Sequence, residues 1–180
     1  MNKLIICTLL AALLGCQSLS VKPKALIAVE YHNRPVLEFT GRGGAAGMMM
    51  SSSMGAMGIA IGVAIDEGIA KDLHASASQG GFVLTDAINE YLGFHNFKLQ
   101  NAADKKIIIK HIGFKASGDL IVPWIEIDFI DGGHSTVLTY SAVAGDNATA
   151  AELATLKEAP KLAAATLRNA LFLVLDEVNQ

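Results

Sequence analysis

The chain is poor in cysteine, in clustered charge and in catalytic signatures, and each shortage excludes something. Its 180 residues include two cysteines, Cys7 and Cys16. Cys7 falls in a segment expected to be removed, so a single cysteine remains and no intramolecular disulfide can form. A zinc site of the Cys-x-x-Cys kind is excluded with it. Basic residues neither cluster nor interleave with aromatics, which argues against nucleic acid as a partner. No repeat of about 20–50 residues recurs, so neither a solenoid nor a propeller is suggested. A Gly-x-Ser-x-Gly elbow is missing, and His32, His74, His95 and His111 are scattered along the chain. Gly80-Gly81 ahead of a helix offers N–H groups to an anion, but no Lys or Ser/Thr follows in phosphate-loop register. The sum points away from an enzyme, and no cofactor is expected.

What is present begins at the first residue. Met1-Asn2-Lys3 is a short basic start, and Leu4 to Leu14 is an apolar run of eleven residues. A charged start, a short apolar stretch and a small residue before the cut make a secretory signal peptide. Eleven residues fall well short of the roughly 20 needed to span a bilayer. Leu13-Leu14-Gly15-Cys16 resembles the lipobox of bacterial lipoproteins. The resemblance implies cleavage after residue 15, a diacylglycerol on Cys16, and a membrane held through the N-terminal lipid. Gln17, standing where Asp would retain the protein at the inner membrane, implies the outer membrane, with the domain facing the periplasm. Two or three acyl chains anchor firmly where one would be marginal. Without Lys3 the formal charge of −3 becomes −4.

Residues 16–24 read as a tether and 25–180 as one domain of ordinary size. Ala25 to Tyr31 is rich in apolar and β-branched residues and predicts a strand. His32-Asn33-Arg34-Pro35 predicts a turn, and Val36 to Phe39 a shorter strand. Leu84, Ile88 and Tyr91 recur at helical spacing, with Gly93 placed to end that helix. Lys106 to Phe114 and Ile121 to Ile130 predict strands, with breaks at Asp119 and Pro123. Ile121, Pro123, Ile125, Ile127 and Phe129 alternate with Trp124, Glu126 and Asp128, the pattern of a strand with one buried face. Asp131-Gly132-Gly133 predicts a tight turn into Ser135–Val143. Gly145-Asp146-Asn147 offers caps for a helix through Glu158. Pro160 starts another, with Leu167, Leu171, Val174 and Val178 inward.

The helix ending in Leu92-Gly93-Phe94, the strand after Ala103-Asp104 and the hairpin Trp124 to Val143 are together similar to small envelope lipoproteins of the YajG type. They are more loosely similar to the N-terminal domain of TolB. The resemblance implies an α+β fold, a mostly antiparallel sheet with helices packed on one face, and no catalytic residues.

One stretch stands apart. Gly43 to Ile65 is 23 residues without a charge, diluted by six Gly and three Ser. Two patterns compete within it. Gly43, Gly47, Ser51 and Gly55 recur every four residues, as do Gly58 and Gly62, and such rows let helices approach backbone to backbone. Met54, Met57, Ile61, Ile65, Ile69 and Leu73 draw an apolar stripe opposite Asp66, Glu67, Lys71 and Asp72. The stripe predicts an amphipathic helix from about Ser53 to His74, capped by Ser52 or Ser53 and packed on the sheet or on a like surface. Gly43 to Met50 then reads as a flexible lead-in. The alternative is a glycine-zipper helix that enters the membrane and oligomerises. Met54, Met57, Gly58, Ile61 and Gly62 are the candidate interaction residues.

Two metal readings complete the inventory. Met48, Met49, Met50, Met54 and Met57 are soft thioethers that select Cu(I), and Met50, Met54 and Met57 would share one helical face. Methionine also simply fills gaps and serves adaptable surfaces. Glu126, Asp128, Asp131 and His134 gather near the hairpin in oxygen-rich company that suits a divalent cation. Charges on an exposed strand face and turn chemistry account for them equally, so no metal is expected. The function expected is a non-catalytic outer-membrane lipoprotein whose domain binds or helps assemble another envelope protein, or itself.

Overall fold

The computed structural model describes residues 23–32, 36–141 and 150–178. The signal peptide 1–15, Cys16 and the tether as far as residue 22 lie outside the described residues, as do Asn33–Pro35, Ala142-Val143 and Gly145-Asp146-Asn147. The elements are β1 (Ala25–Tyr31), β2 (Glu38–Thr40), α1 (Arg42–Met54), α2 (Ala56–Gln79) and α3 (Leu84–Phe94). They continue with β3 (Phe97–Leu99), β4 (Lys105–Ser117), β5 (Leu120–Asp131), β6 (His134–Ser141), α4 (Leu153–Glu158) and α5 (Pro160–Val178).

Strand β4 is the spine of the sheet. It pairs antiparallel with β5, which pairs antiparallel with β6. Along its other edge β1 and β2 lie end to end, both parallel to it, and β3 flanks β1. The fold is α+β with a mixed, mostly antiparallel sheet, as expected. Alternation along β4 changes phase midway: Ile107 and Ile109 face inward, then Ile112 and Phe114. The cause is a bulge. Ile109 pairs with Ile127 and His111 with Glu126, leaving Lys110 as the extra residue, which moves the side-chain alternation by one. Lys110 uses its outward position to meet Asp128 at 2.9 Å.

Pro123 does not break β5; it sits within the strand opposite Phe114. Ile121, of the same parity, exchanges hydrogen bonds with Ala151 rather than β4. The donor that proline lacks is therefore not one that β4 requires. Gly132 and Gly133, with φ of 55° and 86°, form the two-residue turn that feeds β6.

Helices cover one face. From α5, Leu167, Leu171, Val174 and Val178 pack into the core as expected, joined by Leu84, Ile88 and Tyr91 of α3 and by Leu73 and Ala77 of α2. Gly93 lies inside α3, and His95 caps it instead. Buried Ser76 donates to the Leu156 carbonyl at 2.6 Å, fixing the end of α2 to α4.

The segment before Leu73 departs from expectation. Gly43 to Met50 is helical, not a loose lead-in, and belongs to α1. Ser52 and Ser53 do not cap a helix; they lie inside α1 and donate to the carbonyls of Met49 and Met50. The break falls at Gly55, whose φ of 57° and ψ of −134° suit only glycine. Helix α2 then runs five residues past His74. The apolar stripe is inward only at its far end, where Leu73 is buried and Ile69 packs against the core. Ile61 is half-buried, and Met54, Met57 and Ile65 are exposed. The small-residue rows decide the packing: Gly43 and Gly47 of α1 are buried against Gly58 and Gly62 of α2. Glycine's poor helix propensity is overridden by contact that no larger residue permits.

A Cβ at Gly43 would overlap the Gly62 carbonyl, whereas one at Gly44 meets open space. Gly43→Ala should therefore destabilise the α1–α2 hairpin by about 1–3 kcal/mol, the usual cost of overpacking. Gly44→Ala should be neutral or stabilise it by up to ~1 kcal/mol. Amide hydrogen exchange across residues 43–65 reads the difference, and equal protection in both variants would contradict this packing.

Candidate interaction site: the glycine-packed hairpin and the groove at its base

Helix α1 leaves the sheet at Gly41, beside Ala116 and the β4–β5 turn. Arg42 secures this end by donating from Nη2 to the Asp119 carbonyl at 2.9 Å. The N-terminus of α1 has no capping side chain of its own, because Gly41 holds the cap position. Asp66 of α2 supplies one across the hairpin. Its Oδ1 accepts from the Gly43 N–H at 2.6 Å and its Oδ2 from the Gly41 N–H at 3.2 Å. The carboxylate satisfies two orphan donors and sits at the positive end of the helix dipole. This role was unreadable in sequence, where Asp66 stood with Glu67, Lys71 and Asp72 as the solvent side of an amphipathic helix.

Above Asp66 the hairpin carries no charge up to its tip. Because its inner face is glycine, its large apolar side chains point outward: Met49 is 80 % exposed, Met48 72 %, Met57 63 %, Ile59 58 % and Val63 54 %. Met57 and Ile59 stand about 200° apart around one helix axis, so the apolar surface is not a single face. The hydroxyls of Ser51, Ser52 and Ser53 are all turned back onto carbonyls three residues earlier, at 2.8–3.1 Å. Of the candidate residues, Gly58 and Gly62 form the inner seam, Ile61 flanks it, and Met54 and Met57 sit at the tip. The methionines do not share one helical face as the copper reading supposed, since Met50 and Met54 belong to α1 and Met57 to α2, beyond the Gly55 break.

At the base, α2 and β2 enclose a groove of about 560 Å³ floored by Leu37, Phe39 and Ala70, with Glu38, Lys71 and His74 at its rim. Elsewhere, polar groups are paired for structure. Asp128 meets Lys110, and Asp131 meets Lys105 at 2.5 Å. Among the described residues no three His, Cys, Asp or Glu side chains gather as a metal site would need. His111 stacks on Trp124 at 4.7 Å and bonds Glu38 at 2.7 Å on the open sheet face. Gly80-Gly81 stand ahead of α3, which starts at Leu84, but their N–H groups are taken up in ending α2, donating to the Ser76 and Ser78 carbonyls. Compared with known proteins, the chain matches no family, no curated protein and no solved structure.

Tyr91 ties α3 to α5, donating to Asp176 at 2.8 Å and stacking on His95. Burial, reinforced by the hydrogen bond to Asp176 and its charge, raises the Tyr91 pKa well above its ordinary 10.0. Burial also raises Tyr31. A tyrosine so held is a proton donor, not a nucleophile. Because the folded pKa is the higher one, the stabilisation is complete below pH 10 and is lost as pH rises above it. Denaturant melts should show Tyr91→Phe less stable than wild type at pH 8, with the gap narrowing by pH 11. A gap that widened with pH would contradict the assignment.

Proposed function

We propose that the protein is a non-catalytic lipoprotein of the bacterial outer membrane, anchored through Cys16, that uses the α1–α2 hairpin as its contact element. The observation that carries this is the outward turn of Met48, Met49, Met57, Ile59 and Val63 around a glycine seam. A monomeric domain rarely leaves so much contiguous apolar surface to water, and large patches of this kind mark interaction sites. The hairpin is also rigidly presented: α2 is continuous from the tip to Gln79, where it is built into the core. The lipobox Leu13-Leu14-Gly15-Cys16 supports the anchoring half of the reading.

Each half has its own measurement. Cys16→Ser should abolish incorporation of a labelled fatty acid, and a mutant still labelled would refute lipidation at Cys16. The contact reading is tested by cysteine accessibility in intact envelopes, where a lipidated Cys16 offers no competing thiol. Met49→Cys and Val63→Cys should react with a polar maleimide clearly more slowly than Thr136→Cys on exposed β6, because a covered patch is withdrawn from water. All three should react alike after denaturation. Equal rates in the native envelope would remove the hairpin as a contact element.

A further inference from the structure

The surface of the hairpin is specific about what covers it. We propose that the hairpin seats tip-first in one leaflet of a lipid membrane, as far as the level of Arg42 and Asp66. This rests on the reading of the hairpin as the contact element and names its partner as the hydrocarbon of a lipid monolayer.

Four observations lead there. The first is all-round exposure: a protein partner shields one face, yet Met48 and Met49, adjacent in α1, and Met57 and Ile59 in α2 are all more than half exposed. Surrounding hydrocarbon covers every side at once. The second is length. The uncharged leg Gly43–Met54 is about 18 Å long and Ala56–Ile65 about 15 Å, at ~1.5 Å per residue. A single leaflet offers about 15 Å of hydrocarbon, half of the ~30 Å core. No helix of the described residues is long and apolar enough to cross a membrane, so the hairpin fits one leaflet and not two. The third is polar satisfaction. Both legs are helical, and at the turn the Gly55 N–H donates to the Ser51 carbonyl at 2.9 Å and the Gly58 N–H to Gly55 at 3.1 Å, which leaves the N–H groups of Ala56 and Met57 as the turn's donors without a backbone acceptor among the described residues. The three serine hydroxyls are likewise bonded back to the helix, as an apolar medium demands. The fourth is where charge resumes. Arg42, Asp66 and Glu67 all stand at the base, which places them among polar headgroups.

The chain preceding β1 constrains the posture. Lys24 is fixed to Asn96 at the end of the sheet opposite Gly41, since β1 and β2 run parallel to β4. That end lies about 40 Å from the hairpin base, thirteen residues at ~3.3 Å. From Cys16 to Lys24 the chain reaches at most about 28 Å. A lipid on Cys16 and a seated hairpin therefore share one membrane only if the sheet leans toward it.

The test uses the full mature chain, purified from its envelope and reconstituted into phosphatidylethanolamine–phosphatidylglycerol vesicles. An environment-sensitive fluorophore is placed at Met57→Cys, Val63→Cys or Glu67→Cys, and protein without an added cysteine is the blank. Nitroxide on the acyl chains should quench the label at 57 and 63, most strongly at 57 with deep nitroxides, while aqueous iodide should reach only 67. Ile59→Asp, at an exposed position, should leave the melting curve of the body unchanged. It should lower the ratio of immersed to free hairpin roughly a hundred-fold, the cost of a carboxylate at hydrocarbon depth. Iodide quenching at all three positions would overturn both the membrane seat and the contact reading. Labels shielded from iodide yet untouched by acyl nitroxide would overturn the lipid proposal alone, leaving a protein partner or a second copy as the cover.

Discussion

Backbone meeting backbone at Gly43, Gly47, Gly58 and Gly62 is the constraint on which the upper half of the molecule depends. Two helices this close have no room for side chains between them, and a Cβ at Gly58 would come within 2.6 Å of the Met50 carbonyl carbon. The larger residues of the hairpin are therefore turned to its flanks, as Ile61 is, or to its outside. Glycine at the seam and methionine, isoleucine and valine at the surface are two consequences of one packing choice. Asp66 completes it by accepting the free N–H groups at the start of α1, while Arg42 ties that end to the body through the Asp119 carbonyl.

Helix α2 joins this unit to the sheet. Its first half contributes the glycine seam and its second half contributes Leu73, Ser76 and Ala77 to the core. One uninterrupted helix of 24 residues cannot bend between these duties without losing hydrogen bonds, so the hairpin's attitude is set by the β2–β4 edge on which α2 lies. The bulge at Lys110 serves the same edge. By shifting the alternation it turns Ile112 and Phe114 inward beside Phe39. The groove under the hairpin is the space left where α2 passes over that edge.

The body was readable because its residues obey one period at a time. Alternation marked β5, and spacing of three and four marked α3 and α5, with Pro160 and Gly132-Gly133 as punctuation. The bulge in β4 was not readable, because one extra residue leaves no compositional trace in Lys106 to Phe114. The hairpin failed for a different reason. Two helical patterns overlapped there, and the Met/Ile stripe looked stronger because hydrophobic periodicity ordinarily marks the buried side. That rule assumes the helix's neighbour is made of side chains. Where the neighbour is bare backbone, the buried side is the one with no side chains, and the apolar stripe faces out. Gly43, Gly47, Gly58 and Gly62 carried that signal throughout. Gly55, read as one more member of a small-residue row, gave no sign that it was the turn.

The same glycines bear on the medium in which the hairpin is stable. Three glycines in α1 and two in the hairpin half of α2 each cost about 0.8–1 kcal/mol of helix propensity relative to alanine in water. Against that, α1 gains little more than its seam with α2, since Gly43 and Gly47 are its only buried residues. In water the structure is held by van der Waals contact at the seam and by the Asp66 cap, while methionine and isoleucine side chains lie exposed. In hydrocarbon the balance changes sign on both counts. Unfolding a turn would leave amides with no water to bond, at several kcal/mol per group, so low propensity ceases to matter. The outward side chains meanwhile lose their hydration cost. A sequence selected to stay folded in water would place leucine or alanine at Gly44, where a Cβ meets nothing, and charges at Met49 and Ile59. Gly43 to Ile65 does neither, and an apolar surrounding is the condition under which neither is needed.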